Sequence, residues 1–190
     1  KSDLQLALTR HATSKINDIN DLKSVESMGF RGEALASIAA IAKVELTSKT
    51  TCAEHAWKVT VEGAEAYDLK PVQAAGLTGT SVVVRDLFFN TPVRKKFLAS
   101  ERTEFQYILE VFKRIALARP NVSFKLIHNQ KLHTQLHKEQ SELDRLSILL
   151  SKDFGLACES VQASDSQMKL SGCIAKPSYT RAQSDQQYLL

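Results

Sequence analysis

The sequence predicts an α+β fold, a mixed and mostly antiparallel sheet backed by helices. Three observations point to it. Apolar and polar residues alternate over 44–47 and 57–61, and 81–84 is a β-branched run, as strands require. An apolar stripe at helical spacing runs from 105 to 116. Gly63, Gly76 and Gly79 punctuate the connections between strand candidates.

From the N-terminus, Leu4, Leu6 and Leu8 precede a polar stretch over 9–32 that is rich in Ser, Thr, Asn and Asp. A loop of that length inside a compact domain is uncommon and marks a lid, a binding loop or disorder. A short helix over 18–27 fits within it, capped by Asp18 or Asn20. Residues 34–42 carry Leu35, Ile38 and Ile41 at near-helical spacing and predict a buried helix. Val44 and Leu46 then face one way, Glu45 and Thr47 the other. Trp57, Val59 and Val61 alternate with Lys58 and Thr60, and 81–84 suits an interior strand.

Asn90-Thr91-Pro92 marks a turn. A helix is predicted over 103–119, with Thr103 and Gln106 as its capping box and Pro120 as its stop. Phe105, Ile108, Leu109, Phe112, Ile115 and Ala116 form its apolar stripe. Val122, Phe124 and Leu126 begin a strand, His128-Asn129-Gln130 turns it, and Leu132, Thr134 and Leu136 return. Polar residues 138–141 place a domain boundary between 137 and 138. Ser141 then caps a helix carrying Leu143, Leu146, Leu149 and Leu150, and Gly155 ends the segment as a C-terminal cap. Residues 158–161 and 168–174 read as two further strands.

A chain of 190 residues suits one large or two small domains, and 43% hydrophobic residues supply a real core. With 25 Lys and Arg against 21 Asp and Glu, the net charge of +4 permits contact with nucleic acid without arguing for it. Cys52, Cys158 and Cys173 are far apart and odd in number, so neither a disulfide framework nor a zinc site is expected; free thiols in a reducing cytosol are. His133 and His137 have no cysteine or acidic cluster beside them and read as surface histidines, so no metal site is expected. No run is long enough to span a membrane and no signal peptide is present, so no membrane partner is expected. The chain enters a patterned segment directly at Lys1, which reads as an internal piece of a longer protein.

Four places have residue types suited to chemistry. Gly29 and Gly32 sit just before the apolar segment 34–42. Glycine there serves either backbone geometry with positive φ or the close approach of a phosphate to helix-start amides. Thr13, Ser14 and Lys15 offer two hydroxyls and an ammonium, suited to phosphate oxygens and equally to a solvated loop. Thr80 follows Gly79 at a strand start, where a threonine needs no ligand to explain it. Arg94, Lys95 and Lys96 form a basic cluster, flanked by Arg85 and Arg102, with Arg114 and Arg119 later. The cluster suits phosphodiester contact, or a solvated face anchored to the core by Phe97 and Leu98.

The string Gly29-Phe30-Arg31-Gly32-Glu33-Ala34-Leu35 resembles the signature of the MutL family of DNA mismatch-repair proteins. Three more segments resemble that family in the same order: residues 10–16 (Arg-His-Ala-Thr-Ser-Lys-Ile), Gly79-Thr80, and residues 86–98, which begin Asp-Leu-Phe-Phe-Asn-Thr-Pro. The resemblance runs from residue 3 to about residue 180. It implies an ATP-binding module of the gyrase, chaperone, histidine-kinase and MutL (GHKL) superfamily, an α/β sandwich over 1–137. The start of a second α/β domain, with a ribosomal-protein-like fold, follows over 138–190. No Walker-type Gly-Lys-Ser or Gly-Lys-Thr string is present.

By the same resemblance Thr13, Ser14 and Lys15 belong to a lid that folds over ATP. Gly29, Phe30, Arg31, Gly32, Glu33, Ala34 and Leu35 present amides to the triphosphate, or in the case of Arg31 brace the lid. Phe30 as a core plug and Glu33 as a first-turn acid are equally good readings. Thr80 helps hold the adenine environment; by charge alone, apart from the resemblance, Arg94, Lys95, Lys96 and Arg114 are candidate DNA contacts. The family's Glu-Asn-x-x-Asp-Ala and Asp-Asn-Gly-x-Gly-Ile strings, which hold the general base, the magnesium ligand and the adenine-reading aspartate, do not occur here. No catalytic residue is therefore expected in the chain, and alone it is expected to be inactive, with ATP and Mg2+ as the parent's cofactors. The implied parent is a bacterial, cytoplasmic, nucleoid-associated ATPase that forms an ATP-driven homodimer. It engages DNA and couples mismatch recognition by MutS to a downstream nuclease and helicase. The alternative is a non-hydrolysing DNA-binding or dimerisation scaffold. Gyrases and heat-shock chaperones carry different glycine-rich lid strings.

Overall fold

The computed structural model describes residues 2–16, 18, 20–21, 29–63, 65–73, 78–166, 168–181 and 186–190. The helix expected over 18–27 and the punctuating Gly76 lie outside the described residues. The chain divides into two compact units, Lys1–Leu98 and Ala99–Leu190.

The first unit contains helices α1 (Ser2–Leu6), α2 (Ala34–Ala39) and α3 (Pro92–Lys95) and strands β1 (Lys43–Lys49), β2 (Ala56–Glu62), β3 (Glu65–Val72) and β4 (Gly79–Arg85). The strands form one antiparallel sheet in the order β3-β2-β1-β4. The expected alternation holds. Val44, Leu46, Val59 and Val61 point to one face and are buried, together with Leu4 and Ala39 from the helices and Leu8 from the turn after α1. The Leu4–Leu6–Leu8 spacing resolves as helix, not strand: Leu4 and Leu8 are one turn apart and buried, while Leu6 is exposed. On the opposite face Lys58 Nζ meets Glu45 Oε1 at 3.0 Å.

The run 81–84 was expected inside the sheet, yet among the described residues β4 is an edge strand with β1 as its one neighbour. Val82 and Val84 stand opposite Leu46 and Val44, so they share the core face, but both are exposed. A β-branched apolar run reports a preference for burial, not how far the covering helices reach. Strand β3 had no sequence signal of its own. Its charged residues and Pro71 break the alternation, and an edge position is where a strand tolerates proline.

The second unit contains α4 (Glu101–Ala118), the hairpin β5 (Phe124–His128) and β6 (Lys131–Leu136), α5 (Glu142–Leu149), α6 (Lys152–Ala157) and the hairpin β7 (Cys158–Ser164) and β8 (Lys169–Ala175). Asn129 and Gln130 both take positive φ, as a tight two-residue turn demands. Helix α4 starts earlier than expected. Ser100, not Thr103, is its N-cap and accepts from the Thr103 amide, while Glu104 reaches back to the Ala99 amide at 2.8 Å. Along its stripe Ala116 is buried and Phe112 packs on it, whereas Ile108 faces outward and is exposed. Ser141 caps α5 as expected. Gly155 does not end a helix. It lies inside α6 against the Ser147 side chain of α5, where only a residue without Cβ lets the two helices meet.

The boundary expected between 137 and 138 and the division after Leu98 do not coincide. Residues on both sides of 137 share one core, Ala116, Leu136 and Leu149. Arg145, beyond that position, ties the same two parts together through the carbonyls of Ala116 and His137 before it.

Candidate functional site

Lid and glycine loop meet in the first unit. Gly32 takes φ +63, and a Cβ there would fall on the backbone carbonyl of Ala12. The Gly32 carbonyl accepts from the His11 amide at 3.1 Å, and His11 itself takes a left-handed φ of 62. His11 Nδ1 lies 3.3 Å from Glu33 Oε1, a contact no sequence signal announced. Of the two readings open for the glycine pair, positive-φ geometry describes Gly32. Gly32 is fixed by geometry and close backbone packing. Gly29 has nothing within 4 Å of its Cβ position and is exposed.

Around this junction Glu33 is the N-cap of α2, but its side chain makes no capping bond. Its carbonyl accepts from Ser37. Arg31 stacks over the Phe30 ring at 5.6 Å. Leu35 packs against the core, which leaves its backbone as the part able to face a ligand; Ala34 is exposed. In the lid segment Thr13 Oγ1 accepts from the Lys15 amide at 3.2 Å, a local turn bond. Ser14 and Lys15 are exposed. Thr80 Oγ1 is 2.9 Å from Ser48 Oγ across the β1–β4 pair, so its hydroxyl already has a protein partner.

The residues 86–98 turn out to brace the sheet and α2. Asp86 and Phe88 both take positive φ, which costs energy for residues with a Cβ. The strain is held by the Phe88 amide on the Ile41 carbonyl at 2.7 Å and by Asn90 Nδ2 on the Ala40 carbonyl at 2.9 Å. Lys43 Nζ adds contacts to Asp86 at 3.3 Å and Glu62 at 3.6 Å, and faces the Phe89 ring. The Asp86 hydrogen bond, then the Glu62 charge, raise the Lys43 ammonium above its usual pKa.

Arg94, Lys95 and Lys96 lie on and just after α3 and are all exposed. One of the two readings of the cluster had Phe97 and Leu98 anchoring it to the core, but Phe97 is 83% exposed and Leu98 41%. Arg85 is 3.9 Å from Glu45. Arg114 belongs to the second unit, where it contacts Glu110 at 3.7 Å and the Tyr188 ring at 5.6 Å, so its charge is partly met.

The residue that sequence reasoning missed is Arg145. It is 3% exposed and bonds four main-chain carbonyls: Ala116 from Nε, His137 from Nη1, and Arg119 and Val122 from Nη2. Burial lowers its pKa, yet the four acceptors and the Phe124 ring beneath it sustain the cation. Nothing in a single sequence separates such an arginine from a solvated helix charge.

Among the described residues no three His, Cys, Asp or Glu side chains converge on a metal position. None of the described helices is long and apolar enough to cross a membrane.

The chain is 47% identical over 189 residues to the DNA mismatch repair protein MutL of Pseudomonas syringae pv. tomato, covering 98% of this chain and 29% of that protein. It is 48% identical over 191 residues to the same protein of Pseudomonas aeruginosa strain LESB58, covering 98% and 30%. It thus spans less than a third of the length of these curated relatives. No family model matches it. Among solved structures it resembles the Aquifex aeolicus MutL ATPase domain complexed with ADP, with TM-score 0.61, 33% identity, and coverage of 77% of this chain and 56% of that one. The N-terminal domain of a DNA repair protein gives TM-score 0.71 at 26% identity, covering 95% and 58%.

Proposed function

The chain belongs to the MutL family of DNA mismatch-repair proteins, and we propose from that premise that its first unit supplies the lid and the glycine loop of an ATP site. The observation that carries this reading is the junction at Gly32. The two segments that enclose nucleotide in the family lie against each other, joined by the His11–Gly32 backbone bond. Closure over a triphosphate would order both at once, a ligand biasing an order–disorder element. Thr13, Ser14 and Lys15 would meet phosphate oxygens, and the backbone of residues 29–35 would supply amides. Thr80, already paired with Ser48, would line the adenine side by fixing the strand end. Residues 1–137 would form part of the ATPase domain and 138–190 the start of the next.

Magnesium would neutralise triphosphate charge when bound, with its protein ligand supplied from outside this chain. The general base would come from elsewhere in the protein, so the chain alone would bind or position but not hydrolyse. In the whole protein ATP binding would drive homodimerisation, and the dimer would pass a mismatch signal from MutS to nuclease and helicase partners in the bacterial cytoplasm.

The test is Gly32→Ala in the full-length protein. An added methyl meets both the left-handed φ and the Ala12 backbone, so the junction must open. ATP affinity and ATP-driven dimerisation should fall by about tenfold or more. Unchanged nucleotide affinity in a folded variant would refute the site.

A second reading, a DNA-binding or dimerisation scaffold without hydrolysis, is favoured by one observation: the exposed Arg94, Lys95 and Lys96 beside exposed Val93 and Phe97. It predicts duplex binding in the absence of nucleotide that weakens with salt.

A further inference from the structure

Cys158 opens β7 and Cys173 lies on β8. The hairpin register pairs Cys158 with Ala175 and Ser160 with Cys173, so the two cysteines are diagonal neighbours on the same face. The twist of a two-stranded ribbon is strong, and it brings one diagonal together while parting the other. The thiols lie on the near diagonal: after burial and the Glu142 charge, a side-chain hydrogen bond with Cys158 helps hold the Cys173 proton. Both are half-buried free thiols, whereas Cys52 is exposed and in the first unit. The Cys158 thiol donates to the Gly155 carbonyl at 3.6 Å, and Ser160 Oγ is 4.0 Å from Cys173 Sγ.

We propose that Cys158 and Cys173 form a reversible intramolecular disulfide in response to hydroperoxides, a modification site on the β7–β8 hairpin. The Cys158 thiolate attacks one peroxide oxygen, the O–O bond breaks and hydroxide leaves, giving a sulfenic acid. The Cys173 sulfur then displaces that oxygen, which departs with the Cys173 proton as water, and the S–S bond forms. Two thiols lose two electrons and two protons, and one hydrogen peroxide becomes two waters. Burial, then the Glu142 charge, hold the Cys173 thiol above its usual pKa, so closure is faster in mild alkali. A diagonal bridge asks the ribbon to shear slightly, and a strained disulfide is readily reduced, which makes the change reversible.

The experiment treats the folded chain with hydrogen peroxide, blocks remaining thiols with iodoacetamide, and digests with trypsin without reductant. Cleavage after Lys152, Lys169 and Arg181 separates the two cysteines onto peptides 153–169 and 170–181. These peptides should appear joined, and dithiothreitol should part them. Formation should be about tenfold faster in the folded chain than in urea, since folding supplies the proximity. Cys158→Ser and Cys173→Ser should each abolish the joined species, and Ser160→Ala should retain it. Both peptides alkylated or over-oxidised but never joined would overturn the proposal, as would links made through Cys52 or a folded rate no faster than in urea. The peptide map and the rate comparison need no variant, so a variant that fails to fold leaves the test intact.

Discussion

A single methyl group decides the behaviour of two residues here. At Gly32 its absence permits φ +63 and the approach of the Ala12 backbone, which is why Gly32→Ala tests the site more sharply than any charge change in the loop. Gly29, with open space around it, should accept alanine with little effect on folding, and any fall in nucleotide affinity there would report on the ligand alone. Arg145 is the opposite case, a large side chain whose every bond is internal. Arg145→Met keeps most of the volume but removes the guanidinium donor from all four carbonyls, the one at Ala116 buried and the other three part-buried. It should destabilise the second unit by about 3 kcal/mol or more, read as a lowered urea midpoint by circular dichroism. A loss below about 1 kcal/mol would mean that water replaces the guanidinium.

At the scale of elements, what the sequence made legible was local. The alternation in β1 and β2, the stripe of α4, the Ser141 cap and the Asn129-Gln130 turn all follow from spacing and turn chemistry within a few residues. What was not legible depends on distant partners. Whether β4 is interior is set by which strands and helices flank it. Gly155 reads as a helix stop until α5 is seen lying against it. That placement has its own test. Gly155→Ala forces the new methyl onto the Ser147 side chain, whose hydroxyl bonds the Leu143 carbonyl at 2.8 Å. The variant should lose about 1–3 kcal/mol, and Ser147→Gly in the same chain should restore part of it, a coupling measurable by a double-mutant cycle. Additive effects would show that the helices meet elsewhere. Of the site, the segments carrying Gly32 and Thr13 were legible as strings, while the His11–Glu33 contact and the occupation of Thr80 by Ser48 needed the folded chain.

Across the whole molecule the charge balance is modest, +4, and its concentration matters more than its sum. Replacing Arg94, Lys95 and Lys96 with alanine lowers the net charge from +4 to +1, three positive charges fewer. If the cluster meets duplex DNA, the slope of log affinity against log salt should become shallower by about 0.9 for each phosphate no longer neutralised, with nucleotide affinity unchanged. An unaltered slope would return the cluster to an ordinary solvated surface. Arg145 has a last consequence, for how the sequence can drift. Its partners are main-chain oxygens at 116, 119, 122 and 137, which every residue type possesses. A saturation library should therefore find positions 119, 122 and 137 permissive and position 145 nearly closed. Selection would register one essential letter where the folded chain has a five-membered knot.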